Sequence, residues 1–243
     1  VLEAYANGRD VYQEFKRKML ELRDEARRTG KPFHAYVSVE LMETFGLYPV
    51  QGDSHVAEFF GYFIRPETDY GAKYGLKLFP GDTIYREEWR DRVWEMVTGW
   101  AEGRRPIKEL VEQRKGVAEH SFVYELMEIM VKGETRFFEG VNIPNEGCIE
   151  GLPDEAVVEI PAMVSPLGFK GIHVGRLPKG VEAILQQRIA QQELTVEAAL
   201  TGDKQLAVQA LALDPMVPTL EVAKKLVEDY LEVHKQYLPQ FQK

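Results

Sequence analysis

The segment from Val141 to Phe169, VNIPNEGCIEGLPDEAVVEIPAMVSPLGF, decides how this chain is read. It predicts strand, turn, loop, strand. Asn142 and Asn145 bracket Pro144, and Gly147 follows, so the backbone must turn sharply there. Gly151 and Pro153 punctuate again before Ala156–Val164, an apolar run broken by Glu159 and Pro161. A plain core strand needs no such density of Asn, Pro and Gly. Loops held between strands are where binding groups usually sit. The segment is therefore a candidate site, although its periodicity equally suits an ordinary hairpin connection.

Working outward, Thr135–Val141 pairs naturally with Ala156–Val164, and Glu119–Val131 has the spacing of a helix. Toward the N-terminus, Arg9–Thr29 carries Val11, Tyr12, Phe15, Met19, Leu20 and Leu22 among charges, an amphipathic helix stopped by Gly30. Val37–Phe45 is predicted helical up to Gly46. Asp53–Phe63 begins another apolar-rich element, and Thr68–Phe79 is aperiodic and predicts a mobile loop. Ile84–Glu102 predicts a long helix bearing Trp89, Trp94 and Trp100, which belong to a core or an interface. The last third predicts helices over Gly180–Leu200, Asp203–Ala212 and Thr219–Tyr237, the last with Thr219 as N-cap. The fold class expected is α+β, mainly helical with a small mixed sheet, in a single domain over residues 1–243.

The composition, 44% hydrophobic and 28% charged, is that of an ordinary globular protein. A net charge of -9 argues against nucleic acid as a partner, because phosphate binding needs concentrated Lys and Arg. No apolar run reaches the roughly 20 residues that span a bilayer, so no membrane partner is expected. Cys148 is the only cysteine, which excludes an internal disulfide and makes the cytoplasm the expected compartment. The Trp-bearing helix and the apolar Leu206–Leu213 segment carry more large side chains than one small sheet covers, so a homo-oligomer is expected.

The best local candidate for chemistry is GDSH, Gly52–His55, between a Pro/Gly turn and an apolar helix. There Asp53 and His55 project from a helix start, where unpaired amides favour an ionised carboxylate. Such an Asp beside an imidazole can act as a general base or bind a metal; the same Asp can also be a plain N-cap. His34 and His120 are isolated. No HxxxH, HExxH or CxxC spacing supplies a metal pair, and GxGxxG and GxxxxGK[ST] are both absent. Cys148 has no adjacent base and is expected to be structural.

These segments together resemble glycoside hydrolase family 4. Val141–Phe169 is similar to its hallmark N-x-x-N-x-G…LP-[DE]-[DE]-x-V-[VM]-E-[VIL]-P. Residues 197–215 match its E-x-A-L-T-G-D-x-x-x-A-x-x-A-L-x-x-D-P tail. ANGRDVYQEFKRK resembles its GxDxYP insertion, and YPVQGDSHVAEFFGYF its P-x-x-GD segment. The likeness spans nearly the whole chain but only the C-terminal half of such an enzyme. It implies a half-enzyme whose NAD-binding Rossmann half, with the Cys and Asn-His segments that hold the divalent metal, lies on a preceding or companion chain. NAD and Mn2+ are the implied cofactors, both bound mainly by that half.

The implied reaction is NAD-dependent oxidation at sugar C3, deprotonation at C2 beside the new ketone, and elimination of the aglycone with help from the cation. The C2 base is a Tyr in many members and an Asp of the GD segment in the alpha-glucosidase and alpha-galacturonidase-like branch, which Asp53 matches. His55 on the same turn and Asn142 and Asn145 in the Asn-rich loop are the implied substrate-binding residues. Arg65, soon after the GD helix, is a further candidate, since it can pair with a sugar carboxylate through its planar fork; it equally suits a surface Arg beside Pro66. The substrate implied is a small oligosaccharide or uronide. The competing expectation is a non-catalytic helical module for assembly or docking.

Overall fold

The computed structural model describes residues 3–76, 81–113 and 122–242, except for the side chains of residues 81–86, 113 and 122. In chain order the elements are β1 (Tyr5–Ala6), β2 (Arg9–Asp10), α1 (Tyr12–Thr29), α2 (Tyr36–Phe45) and α3 (Asp53–Ala57), followed by a 3-10 run over Pro66–Tyr74. Then come α4 (Gly81–Ala101), α5 (Ile107–Gln113), α6 (Phe122–Lys132), β3 (Arg136–Pro144), β4 (Ile149–Glu150) and β5 (Val157–Ser165). The chain continues with β6 (Gly168–Gly171), β7 (Gly175–Arg176), α7 (Lys179–Thr201), α8 (Lys204–Ala212) and α9 (Leu220–Val233), and ends in two short 3-10 turns. Two compact units form: Val1–Phe79 with Pro178–Lys243, and Pro80–Leu177.

In the first unit α1 and α2 stop at Gly30 and Gly46 as their sequences predict. Their facing sides are tied by Arg23, a buried cation that reaches Glu40 at 3.2 Å and also Glu43. Behind α2 lies an apolar cluster of Val37, Leu41, Val56, Ala57, Phe63 and Leu76. The Phe63 and Tyr74 rings meet edge to face, with centroids 4.9 Å apart. The element expected over Asp53–Phe63 is helical only to Ala57; beyond it the chain makes single turns, Phe59 to Val56 and Phe60 to Ala57, that let the aromatic side chains point in several directions. Of the loop expected over Thr68–Phe79, residues 68–74 belong to a 3-10 run, Pro66–Tyr74, interrupted by left-handed residues at Asp69 and Tyr70.

The tail motif L-T-G-D has a direct structural reading. Gly202 ends α7 with φ +75, and a Cβ there would lie 2.0 Å from the Gln240 carbonyl, so the C-terminal segment can close over it only because it is glycine. Asp203 then starts α8 by accepting a 2.7 Å bond from the Gln205 amide. Thr219 caps α9 as expected, through the Val222 amide.

In the second unit β3, β5 and β6 form an antiparallel sheet in the order β3-β5-β6. Asn142 pairs with Glu159 and Pro144 with Val157, and the register shifts between Phe138 and Val141. Ile129 of α6 packs with Phe138 and Val164 to make this unit's core. Two further small sheets occur among the described residues, the β1-β2 pair in the first unit and a parallel β4-β7 pair in the second. Trp89 and Trp94, read as core or interface, are 53% and 72% exposed, because the apolar residues of α4 are spread round the helix and do not gather on one face. Trp100 is half-buried with the Arg105 guanidinium 5.2 Å from its ring centroid. Residues 119–121 of the predicted Glu119–Val131 helix, including His120, and residues 77–79 of the predicted loop lie outside the described residues.

Candidate functional site

Gly52 is the residue before α3, with extended backbone and no side-chain cap, so Asp53 is not the N-cap of its own helix. Its carboxylate turns instead to the start of α2. Oδ2 accepts the Val37 amide at 2.8 Å; Oδ1 accepts the Ser38 amide at 3.1 Å and the Ser38 hydroxyl at 2.6 Å. Ala35, the residue before α2, offers no side-chain cap, and Asp53 supplies what it lacks. A carboxylate has about four acceptor positions, so three bonds leave room for one more.

His55 and Ser54 lie on the exposed side of the same turn. The His55 Nδ1 lies 3.4 Å from Glu58 Oε2. Arg65 directs Nε to the Gly61 carbonyl at 2.7 Å and Nη2 to the Pro215 carbonyl at 3.2 Å. Any hold on a sugar carboxylate would fall to its remaining nitrogen.

Loop residues 61–68 and 212–217 border a cleft of about 660 Å3 whose polar lining includes Tyr62, Arg65, Glu67, Thr68, Gln187 and Asp214. Behind it, Arg188 donates to Asp214 at 3.4 Å and to the Phe59 carbonyl at 2.8 Å. Gln191 also donates to Asp214, at 2.9 Å, and the Met216 amide donates at 2.8 Å. Burial pushes the Asp214 carboxyl up, but the Met216 amide, Gln191 and Arg188 outweigh it and hold its pKa below the ordinary carboxylate value. Sequence reading missed Arg188 and Gln191; the Asp-Pro pair that ends the tail motif was the available signal.

In the second unit the two Asn of the loop separate. Asn145 is fully buried. Its Oδ1 accepts the Ile149 amide at 2.7 Å, and its Nδ2 donates to the Ile149 and Leu152 carbonyls, each at 3.1 Å. Asn142 is exposed on β3. Glu146 and Gly147 make the turn with φ +44 and +78. Cys148 packs against Gly171, where a Cβ would come within 2.8 Å of its sulfur. Asp53, His55 and Arg65 thus share one unit, and Asn142 and Asn145 the other. Among the described residues no group of three or more His, Cys, Asp and Glu could hold a metal ion, and no helix is long and apolar enough to cross a membrane.

The family model for the family 4 glycosyl hydrolase C-terminal domain matches residues 1–217. The chain belongs to glycosyl hydrolase family 4. Among family relatives, an alpha-galacturonidase of Bacillus subtilis is 34% identical over 81% of this chain and 41% of its own. The structure of the LplD protein of Bacillus subtilis superposes with a TM-score of 0.70 at 28% identity, covering 94% of this chain and 52% of that one. The 6-phospho-beta-glucosidase of Thermotoga maritima, solved with manganese, NAD+ and glucose-6-phosphate, shares the fold at TM-score 0.63 and 22% identity, over 98% of this chain and 51% of that one. The chain therefore spans about half the length of the relatives it matches. The α+β, mainly helical architecture is that of the family's C-terminal domain.

Proposed function

We propose that this chain is the C-terminal part of a glycosidase that cleaves alpha-glycosides, uronide or glucoside, with NAD and Mn2+ held mainly by a Rossmann half that precedes it or is supplied by a companion chain. The observation that carries the reading is the family 4 match over residues 1–217. The Thermotoga maritima relative, solved with both cofactors, supports the cofactor assignment. The part assigned to this chain is contact with the sugar. Asp53 is the proposed acceptor of the C2 proton, using the one acceptor position its bonds to α2 leave open. His55, Arg65 and Asn142 are the proposed substrate contacts; Asn145, which the resemblance implies as a further one, is fully buried with its amide oxygen and both amide hydrogens bonded inside its own loop, so its part is to shape that loop. The alpha-galacturonidase relative favours a uronide, and the single cysteine suits a cytoplasmic enzyme.

The test is to assay the complete enzyme, supplied with NAD and Mn2+, against nitrophenyl alpha-galacturonide, alpha-glucoside and 6-phosphoglucosides in deuterated water. The uronide should be cleaved fastest, with deuterium entering at C2 of the released sugar. Cleavage without C2 deuterium refutes the mechanism, and no cleavage of any substrate favours the assembly-module reading.

The same reading includes a homo-oligomer. Trp94 and Val97 on α4 and Tyr124, Met127 and Val131 on α6 are exposed apolar side chains that a second copy would cover. Light scattering of the chain at micromolar concentration should return a dimer mass or higher. A monomer mass would count against it.

A further inference from the structure

We propose that Arg188, braced by Asp214, is a positioning residue that fixes the outgoing end of the α3 helix, and with it the sugar-facing turn of the GD segment. The proposal rests on the family 4 reading above. With five residues, α3 is too short to hold its own shape. Its first residue, Asp53, is anchored on α2. Its other end sets Val56 and Ala57 in the apolar cluster behind α2, and Arg188 adds a polar hold just beyond them, reaching across 129 residues of sequence to the Phe59 carbonyl and lying over the Phe59 ring, 5.1 Å from the centroid. Carbonyls at the end of a helical turn attract a cation.

The Arg188 side chain is itself held. It is 15% exposed and its partner Asp214 25%, and Gln191 and the Met216 amide fix the carboxylate from two further sides. The loop that carries Asp214 also touches the GD segment directly. A Cβ on Gly61 would lie 2.2 Å from the Pro215 carbonyl, and Arg65 bonds the same oxygen. Two motifs far apart in sequence thus meet at one joint, and the second one clamps the first. Only a planar fork with several donors bridges Asp214 and the Phe59 carbonyl together.

The test compares Arg188→Lys, Arg188→Met and Gly61→Ala in the complete enzyme, reading Tm, kcat, KM and C2 deuterium exchange. Lysine keeps the charge beside Asp214 but has no second arm for Phe59. We expect Arg188→Lys to stay within about 2 °C of the parent Tm, since a partly exposed ion pair contributes little, while kcat and C2 exchange fall about 10- to 100-fold at unchanged KM. Arg188→Met and Gly61→Ala should lose as much kcat and also lose Tm. If kcat follows Tm across all three variants, or the loss appears wholly in KM, Arg188 is merely structural. Hydrogen exchange on the 243-residue chain provides a test independent of turnover. The Phe59 and Phe60 amides should lose protection in Arg188→Lys, and unchanged protection overturns the inference. A parent enzyme with no turnover but with this loss of protection would refute the glycosidase reading and leave the clamp standing.

Discussion

Asp53→Asn should cost both stability and turnover. Asparagine is nearly isosteric with aspartate and caps a helix about as well, so a plain N-cap would tolerate it. Asp53 is not placed as one. Both of its oxygens accept from α2, one from the Val37 amide and the other from the Ser38 amide and hydroxyl. An asparagine can present one oxygen; its NH2 must then face an N–H, donor against donor. The half-buried site loses about 1–2 kcal/mol for the donor left unpaired, which for a chain of this size lowers Tm by about 2–8 °C. Asparagine also cannot accept a proton. At a temperature well below the lowered Tm, the complete enzyme should therefore turn over roughly 100-fold or more slowly, and C2 deuterium exchange should fall with it. Thermal melts with steady-state rates and exchange decide the matter. A lower Tm with near-parent turnover per folded molecule would make Asp53 an anchor for α2 alone, and the base would then be sought at His55, Tyr62 or Tyr70.

The geometry around Asp53 illustrates where a single sequence is legible. Helix ends at Gly30, Gly46 and Gly202 are local events, each written in a glycine that takes a left-handed φ, and they fall where the periodicity places them. The β3-β5 pairing is equally legible, because alternation and turn residues lie within one short segment. What escapes are features with no local periodicity, such as the seven-residue α5, the four-residue β6 and the two-residue strands β4 and β7. The left-handed backbone at Asp69 and Tyr70 escapes as well, since neither residue announces it as a glycine would. The candidate site was legible as a set of residue types but not as a set of partners. Asp53 bonds an element 15 residues back, and Arg188 one 129 residues away. Such pairings come from packing, and the local pattern of one sequence holds no record of them.

Asn145→Ala should be the most damaging single change to the second unit, and its neighbour Asn142 provides the control. Asn145 is 0% exposed, and its amide replaces a backbone ladder where the loop between β3 and β5 cannot form one. Truncation leaves the Ile149 amide and the Leu152 carbonyl without these partners inside the loop, while the Ile149 carbonyl keeps a 3.4 Å bond from the Leu152 amide. Each orphaned buried group costs about 1–3 kcal/mol, so the variant should lose roughly 2–6 kcal/mol, a large share of the 5–15 kcal/mol that holds a domain folded. Asn145→Asp should fare no better, because it sets an oxygen against the two carbonyls that Nδ2 now serves. Asn142 is exposed on β3, and Asn142→Ala should stay within about 0.5 kcal/mol of the parent. If Asn142 touches the sugar, its loss will instead appear in KM of the complete enzyme. Denaturant melts of the three variants, with hydrogen exchange across residues 145–152, measure the contrast. An Asn145→Ala variant as stable as Asn142→Ala would show that the loop keeps its shape without the buried amide.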